Sequence, residues 1–321
     1  MVTQMRKVGI MPNYKCTAAC RHCLYACSPK RKSGYMKEPM MHMICYVLRE
    51  LGCRTAHLGG GEPFIDFEGI TNFLCAALQH GITIEYIETN ASWVDDEDTV
   101  KERLSKLKYW GARALCISVD PFHLEYVPLN KPLRLAKICE EVGFKYFFWQ
   151  ERFLPMMRNL DVDNPHSRSE LEKALGKNYV YDTAQAYGIH MGGRAINIEQ
   201  EYLPLRQIAP SYVPCSGLLS GNHCHIDMYL RFIPPGCTGI AIELKDALIG
   251  LPPGKYPALE ALLSKGIGGL LDYAKSLNFI PDEKGYTTAC AMCFHIRRWL
   301  SKLGCCPELD RVHYTHSLRN Y

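Results

Sequence analysis

Short apolar segments alternate with longer, helix-like segments between residue 8 and about residue 192 of this chain. The predicted strands are residues 8–11, 55–58, 82–88, 114–119, 146–149 and 188–191. The predicted helices between them are residues 38–51, 67–80, 95–110, 131–142 and 167–187. Strands that alternate with helices of this length form βαβ units and a parallel sheet. The pattern predicts an α/β fold, a partial (β/α)6 TIM-like barrel with functional side chains at the C-terminal ends of its strands.

The alternation ends near residue 205, where proline, glycine and cysteine become frequent. Residues 226–233 suggest one arm of a hairpin, and residues 258–276 suggest a helix. With 321 residues, the chain is also long for a single average domain. We therefore expect a barrel domain over residues 1–205 and a small cysteine-rich C-terminal domain over residues 206–321.

Sixteen cysteines are unusual for a chain whose N-terminus shows no secretion signal. In the cytoplasm, where thiols stay reduced, cysteines bind metals, react or lie in the core. No apolar run is long enough to cross a membrane, and a net charge of +4 gives no case for nucleic acid. The sequence therefore predicts a cytoplasmic protein with neither membrane nor nucleic acid as a partner. Five isolated cysteines are expected in the core: Cys45, Cys53, Cys75, Cys116 and Cys139.

Cys16, Cys20 and Cys23 lie within eight residues, directly after the first predicted strand. Three thiolates on one loop can hold three corners of a [4Fe-4S] cluster. A closed structural site needs four ligands, so three thiolates leave one metal position open for a cofactor or a substrate. Two alternatives are a zinc-binding loop and a four-cysteine cluster completed by Cys27.

The Cys-x3-Cys-x2-Cys spacing after the first strand of a partial barrel resembles the motif of the radical S-adenosylmethionine (SAM) superfamily. The resemblance implies that the amino and carboxylate groups of SAM bind the open iron. One electron from the cluster then cleaves SAM to methionine and a 5′-deoxyadenosyl radical. The family usually has an aromatic residue before the last cysteine, packed near the adenine. His22 takes that place here and keeps a flat ring.

Further motifs follow at the predicted strand ends, in the order that the family shows. Gly60-Gly61-Glu62-Pro63 resembles the family's Gly-Gly-Glu-Pro, whose acid meets the SAM ammonium, and a carboxylate suits that cation. Thr89 and Asn90 match the first two residues of the family's usual Thr-Asn-Gly, and Ala91 replaces the glycine. The resemblance covers about residues 8–200. It implies that SAM is bound by His22, Gly60, Gly61, Glu62, Pro63, Thr89, Asn90, Ser118, Asp120 and Arg194.

A second group of cysteines lies in the last third of the chain. Cys290 and Cys293 have the spacing of a metal-ligand pair, and Cys215 and Cys237 flank the predicted hairpin. This part resembles the SPASM or twitch extensions of radical SAM enzymes, which bind auxiliary [4Fe-4S] clusters. Because the full seven-cysteine pattern is absent, the resemblance implies one auxiliary cluster held by these four residues. The alternatives are a zinc site, unliganded thiols, or Cys224 as ligand in place of Cys215.

Three residues are candidates for direct catalysis. Asp120 and His123 follow the fourth predicted strand, where side chains can face a substrate. Cys224 lies between two expected cluster ligands but is not needed by the quartet. An unligated thiol there can give a hydrogen atom to a substrate radical, which resembles what radical SAM peptide epimerases do. Cys224 is alternatively a packed thiol.

The resemblance implies a radical SAM oxidoreductase that abstracts hydrogen from a peptide or protein, including a ribosomally made precursor. The products of such enzymes are epimerised residues, thioether links or carbon–carbon crosslinks. We expect an electron donor such as flavodoxin or ferredoxin, and leader recognition built into the barrel, supplied by a partner or absent. The alternatives are a radical SAM enzyme acting on a small metabolite, and a non-catalytic iron–sulfur or zinc redox sensor.

Overall fold

A computed structural model describes residues 1–32, 34–190 and 192–315. Its strands are β1 (Val8–Met11), β2 (Thr55–Leu58), β3 (Thr83–Thr89), β4 (Ala114–Ser118), β5 (Lys145–Trp149), β6 (His225–Asp227), β7 (Arg231–Ile233) and β8 (Ile242–Glu243). They form one open sheet in the order β5-β4-β3-β2-β1-β6-β7-β8. Strands β1 to β6 run parallel to one another, whereas β7 pairs antiparallel with both β6 and β8. The α/β partial barrel expected from the sequence is confirmed.

Helices join the parallel strands and cover the sheet. They are α1 (Glu38–Glu50), α2 (Phe67–Gln79), α3 (Glu97–Tyr109), α4 (Pro121–Leu124), α5 (Asn130–Val142), α6 (Leu154–Met157), α7 (Arg168–Leu175), α8 (Tyr179–Tyr187), α9 (Ile196–Tyr202), α10 (Leu244–Ile249), α11 (Pro257–Ser276), α12 (Ala289–Leu303) and α13 (Arg311–Thr315). Asp66 and Asp96 begin α2 and α3 by accepting backbone N–H groups with their carboxylates. Helix α1 buries one apolar stripe at helical spacing, formed by Met41, Ile44, Cys45 and Leu48.

The first five predicted strands match β1 to β5 to within one residue at each end. The sixth, at residues 188–191, is wrong for the described residues 188–190, which form no strand. Gly188 ends α8 in the left-handed conformation with φ of 69°, and the chain then turns toward the cysteine loop. The predicted helix 167–187 is two helices, α7 and α8, because Gly176 ends the first of them.

The C-terminal third continues the same sheet. Strand β6 pairs with β1, with Gly9 opposite His225. The segment predicted as one hairpin arm contains the whole hairpin, because Asp227 accepts the N–H groups of Tyr229 and Arg231 and closes a tight turn. The predicted domain boundary near residue 205 falls in residues 203–215, which contain no helix or strand. It stays a prediction.

Four of the five isolated cysteines are buried, and Cys45, Cys53 and Cys139 belong to the main hydrophobic core. Cys116 is buried at the wall of a cavity, and Cys75 is only half-buried on α2. In the described part of the chain, no helix is long and apolar enough to cross a membrane.

Candidate functional site

A cavity of about 520 Å³ lies at the C-terminal ends of the parallel strands, between the sheet and the loop that follows β1. This is the edge where a partial barrel is expected to bind its ligands. Three groups of residues line it. The first is the cysteine loop with Cys16, Cys20, His22, Cys23 and Cys27. The second is formed by strand ends with Gly60, Gly61, Thr89, Asn90, Ser118 and Trp149, and the third is a polar group with His57, Glu88, His223 and His225.

Cys16, Cys20 and Cys23 all line this cavity. The N–H of Ala18 donates to Cys16 Sγ over 3.4 Å, and the N–H of Cys27 donates to Cys23 Sγ over 3.3 Å. A hydrogen bond with the Cys27 side chain lowers the pKa of Cys23, although burial opposes it. Backbone N–H groups directed at sulfur stabilise thiolates, so this loop is suited to bind a metal.

Cys27 also lines the cavity, and its thiol donates to the Gly60 carbonyl oxygen over 3.6 Å. Burial and the hydrogen bond with Cys23 raise the pKa of Cys27, with the hydrogen bond the larger cause. The Cys27 thiol is therefore engaged by the Gly60 carbonyl oxygen beside Cys23. This arrangement favours three ligands on the loop over four.

The Gly60-Gly61-Glu62-Pro63 segment packs its backbone against the cysteine loop. The N–H of Glu62 donates to the Lys15 carbonyl oxygen over 2.9 Å, and a Cβ at Gly61 would overlap that oxygen. Gly60 has φ of 101°, which a residue with a side chain rarely adopts. Pro63 begins a short 3₁₀ helix, Pro63–Ile65. The two glycines therefore hold the end of β2 in contact with the metal-binding loop.

The Glu62 carboxylate is buried and accepts three hydrogen bonds, from the N–H groups of Phe64 and Asn90 and from the Thr89 hydroxyl. Burial raises the pKa of Glu62 to about 7, while these hydrogen bonds oppose the rise. Glu62 does not itself line the cavity. It joins the ends of β2 and β3 and positions Asn90, whose side-chain amide lies 3.6 Å from Cys16 Sγ.

His22 packs its ring on Phe122, with ring centroids 4.7 Å apart, and lines the cavity. Burial lowers the pKa of His22 to about 4, so the ring is neutral near pH 7. His123 also faces the cavity, and its Nδ1 lies 2.9 Å from Asp120 Oδ2. One ring nitrogen from each histidine and one Asp120 oxygen lie within 4.8 Å of one another.

Asp120 itself stays outside the main cavity, although the sequence suggested contact with SAM or substrate. Its carboxylate caps α4 by accepting the N–H groups of Phe122 and His123. Burial alone would raise the pKa of Asp120, but the two histidines and the hydrogen bonds lower it to about 2. Asp120 is therefore a fixed carboxylate that orients His123, and Ser118 is the cavity-lining residue at the end of β4.

Arg194, which the resemblance assigned to SAM binding, directs its guanidinium at the backbone of the cysteine loop. Nε donates to the Cys20 carbonyl oxygen over 2.9 Å, and a terminal nitrogen donates to the Cys27 carbonyl oxygen over 2.6 Å. The backbone N–H of Arg194 also donates to the Cys23 carbonyl oxygen. Arg194 therefore links the backbone of Cys20, Cys23 and Cys27.

A polar group that the sequence analysis missed lies farther along the cavity. His57 lies on β2, His223 in the loop before β6, and His225 at the start of β6. Their ring centroids lie 5.7 to 6.1 Å apart. Burial lowers the pKa of His57 to about 4 and that of His225 to about 3, so both imidazoles are neutral. Gly9 lies between them on β1, and a Cβ there would overlap both rings.

Glu88 completes this group from β3. Its Oε1 lies 3.6 Å from His57 Nε2, and its carboxylate packs against Gly59, where a Cβ would overlap it. Burial, with a smaller contribution from Glu62, raises the pKa of Glu88 to about 7. The one signal for it in the sequence is that Tyr86 and Glu88 share a face of β3, because alternate residues of a strand point the same way.

Glu88→Gln is expected to make folding stability less dependent on pH. Because the folded state raises the pKa of Glu88 from 4.5 to about 7, stability is lost as pH rises through that interval. The side chain is 42% exposed, so solvent screening limits the effect to about 1 kcal/mol. Urea unfolding of the metal-free chain at pH 5 and pH 8 measures it. Glu85→Gln, at an exposed position of β3, is the control. Parallel pH profiles for wild type and Glu88→Gln would contradict the expectation.

The four C-terminal cysteines come from separate parts of the chain and meet at one place. Cys215 precedes the 3₁₀ helix Ser216–Leu219, Cys237 follows β7, and Cys290 and Cys293 lie in the first turns of α12. Every pair among the four thiols interacts electrostatically. Burial raises the pKa of Cys237 to about 11, and the neighbouring thiols add to the rise. The four cysteines expected to bind one cluster thus lie near one another, and their role as ligands stays a prediction.

Cys224 lies in neither site. It is fully buried, its thiol lies 3.8 Å from the Gly221 carbonyl oxygen, and its electrostatic neighbour is Cys53. Successive residues entering β6 point to opposite faces, so His225 faces the cavity and Cys224 faces the core. This placement favours the packed-thiol alternative over hydrogen donation or a ligand role, because the thiol lines neither the cavity nor the quartet.

Comparison with known proteins gives distant matches, and no family model matches the chain. Over 122 residues the chain is 24% identical to YydG of Bacillus subtilis (strain 168), whose name assigns it to peptide biosynthesis. That match covers 38% of this chain and 38% of YydG, so the chain spans well under two thirds of this relative.

Solved structures with a similar course of the chain are also known. SuiB of Streptococcus suis bound to S-adenosylmethionine is 16% identical, with a TM-score of 0.45, over 74% of this chain and 61% of SuiB. SuiB bound to its precursor peptide SuiA is 17% identical, with a TM-score of 0.44, over 81% and 64%. BtrN in complex with AdoMet and 2-DOIA is 12% identical, with a TM-score of 0.44, over 84% and 91%.

Proposed function

We propose that this chain, which resembles the radical SAM enzymes with an auxiliary-cluster extension, cleaves SAM reductively and abstracts hydrogen from a peptide substrate. One observation carries the proposal. The three thiols of Cys16, Cys20 and Cys23 face a cavity that is also lined by the strand-end residues Asn90 and Ser118. A metal-binding loop and a set of polar strand ends on one cavity suit a cofactor that binds a metal and the protein together.

The residues present fit an iron–sulfur group at this loop. Three thiols on one loop, with backbone N–H groups donated to two of the sulfurs, are the donor set that such a group requires. A [4Fe-4S] cluster held here supplies, when reduced, the electron that splits SAM into methionine and a 5′-deoxyadenosyl radical. The cavity of about 520 Å³ lies within the range that holds a nucleoside-sized ligand.

The chain's own residues position SAM and protect it. Arg194 and the glycine pair keep the cysteine loop against the end of β2, so the thiols keep a fixed spacing. Asn90 and Ser118 offer hydrogen-bonding groups for the polar parts of SAM, and the neutral His22 ring offers a flat surface for its adenine. Trp149 and Tyr187 contribute aromatic surface to the same cavity.

The C-terminal quartet also fits a metal group, since four thiols that all interact with one another close a four-ligand site. We assign it to an auxiliary [4Fe-4S] cluster, which can exchange single electrons with the substrate. A reducing partner such as flavodoxin or ferredoxin supplies electrons to the enzyme.

A peptide or protein, including a ribosomally made precursor, is the substrate that we propose. Support comes from the name of YydG and from the complex of SuiB with its precursor peptide. The cavity also extends beyond the SAM end to the polar group of His57, His225 and Glu88. A single residue of a peptide can enter this space, where it is epimerised, joined through a thioether or crosslinked through carbon.

The test is anaerobic reconstitution with iron and sulfide, followed by SAM, dithionite and the short peptides encoded beside the gene. We expect 5′-deoxyadenosine in every reduced sample and a mass change, or solvent deuterium uptake, in one peptide. Unchanged peptides together with consumption of a sugar or an amino acid would support the small-metabolite alternative. Bound iron without any SAM cleavage would leave the redox-sensor alternative and overturn the proposal.

A further inference from the structure

Arg297 lies on α12 one turn after Cys293, and it is 3% exposed. One terminal nitrogen donates to the Thr238 carbonyl oxygen over 2.8 Å and to the Tyr314 hydroxyl over 3.1 Å. Its Nε is buried and has no hydrogen-bond partner. The guanidinium is therefore only partly satisfied by the protein around it.

No Asp or Glu within the described residues forms an ion pair with Arg297. The ionisable groups that interact with it are instead the Cys237 and Cys293 thiols and the Tyr314 hydroxyl. The partly buried Arg231 differs, because its guanidinium pairs with Asp227 and Asp310. A buried cation without a counter-anion is strongly unfavourable, so the position of Arg297 calls for negative charge at the quartet.

A group held by four thiolates supplies that charge. Four thiolates contribute four negative charges, and the core of an oxidised [4Fe-4S] cluster returns two positive ones, so the site stays anionic. One-electron reduction adds a further negative charge. A fixed cation near the cluster favours the more negative state. This effect raises the reduction potential.

We propose that Arg297 is the counter-cation of the auxiliary site and holds the reduction potential of its cluster above the value that the four thiolates alone would give. The inference rests on the proposed function, because it needs an iron–sulfur group at the quartet. Arg297 is a positioning residue in this account, since it acts through the cluster and touches no substrate.

The experiment uses the full chain with Cys16, Cys20 and Cys23 replaced by alanine, so that the auxiliary cluster alone is observed. Arg297→Met and Arg297→Lys are made in this background and reconstituted. The midpoint potential is measured by redox titration followed by electron paramagnetic resonance, together with iron and zinc content. We expect Arg297→Met to lower the equilibrium constant for reduction at least tenfold, which is about 59 mV for one electron. Arg297→Lys, which keeps the charge, is expected to recover most of this shift.

Arg298→Met is the matched control, because Arg298 is the next residue on α12 and is half-buried beside Tyr286. It is expected to leave the midpoint unchanged. Bound iron with an equal midpoint in Arg297→Met and the parent overturns the inference and leaves the auxiliary cluster standing. Zinc, or no metal, in the parent overturns the auxiliary cluster and the inference with it. If Arg297→Met alone loses iron, Arg297→Gln replaces it, and an unchanged midpoint there is equally decisive against the inference.

Discussion

Replacing Cys16, Cys20 and Cys23 together by alanine is expected to reduce reductive SAM cleavage to the background of the chain-free reaction. The three thiols face one cavity and are the donors that the loop offers to a cluster. Without them, iron per reconstituted chain should fall by about four, because one [4Fe-4S] cube is lost. Chromatography of 5′-deoxyadenosine and a colorimetric iron assay measure the two effects. The remaining iron should stay with the C-terminal quartet.

Cys75→Ala is the control for the loss of a thiol, since Cys75 is half-buried on α2 and does not line the cavity. It should keep full iron and full cleavage. Cys27→Ala tests the four-ligand alternative. We expect it to keep iron, because the Cys27 thiol is engaged by the Gly60 carbonyl oxygen. SAM cleavage that persists in the triple variant would contradict the assignment of this loop.

Replacing Cys215, Cys237, Cys290 and Cys293 together by alanine is expected to remove a second set of about four irons and to destabilise the fold. The four thiols come from parts of the chain up to 78 residues apart, so a shared metal crosslinks them. Loss of such a crosslink costs on the order of several kcal/mol. Thermal unfolding of the reconstituted chain and its iron content measure both effects, and SAM cleavage without substrate should continue.

The control is the double variant of Cys305 and Cys306, whose sulfurs lie 3.7 Å apart beside Tyr273 and outside the quartet. It should keep the iron and the unfolding temperature of the wild type. Zinc bound in place of iron in the wild type, or a quartet variant with unchanged iron, would refute an auxiliary cluster at this position.

The strands could be predicted closely because each is a short apolar run bounded by turn residues. The prediction of a strand failed at residues 188–190, because Gly188 is the residue that ends α8. Gly193 then brings the chain so close to the Leu24 carbonyl that a Cβ would overlap it. That contact is made between residues far apart in sequence, and periodicity carries no information about it.

The residues of the site also fall into those that a local motif predicts and those that only the fold brings together. Cys16, Cys20 and Cys23 could be found from the sequence because one short loop holds all three. Glu88 and the histidines around it could not, because each stands alone in its own strand and only the sheet register brings them together. For Asp120 and Arg194, the structure shows partners within the protein, and their contact with SAM stays a prediction. The Asp120 carboxylate accepts backbone N–H groups, and the Arg194 guanidinium donates to backbone carbonyl oxygens. A sequence motif does not reveal such partners.

Strand β1 lies between β2 and β6, so its two neighbours come from residues about 50 and more than 200 positions away. During synthesis, the second edge of β1 therefore stays uncovered until most of the chain has been made. Closing so distant a contact is slow, and an unpaired strand edge invites pairing with other chains. A fragment that ends near residue 205 leaves the β6 side of β1 bare. The part that carries the cysteine loop consequently completes its sheet only after the C-terminal part has been synthesised.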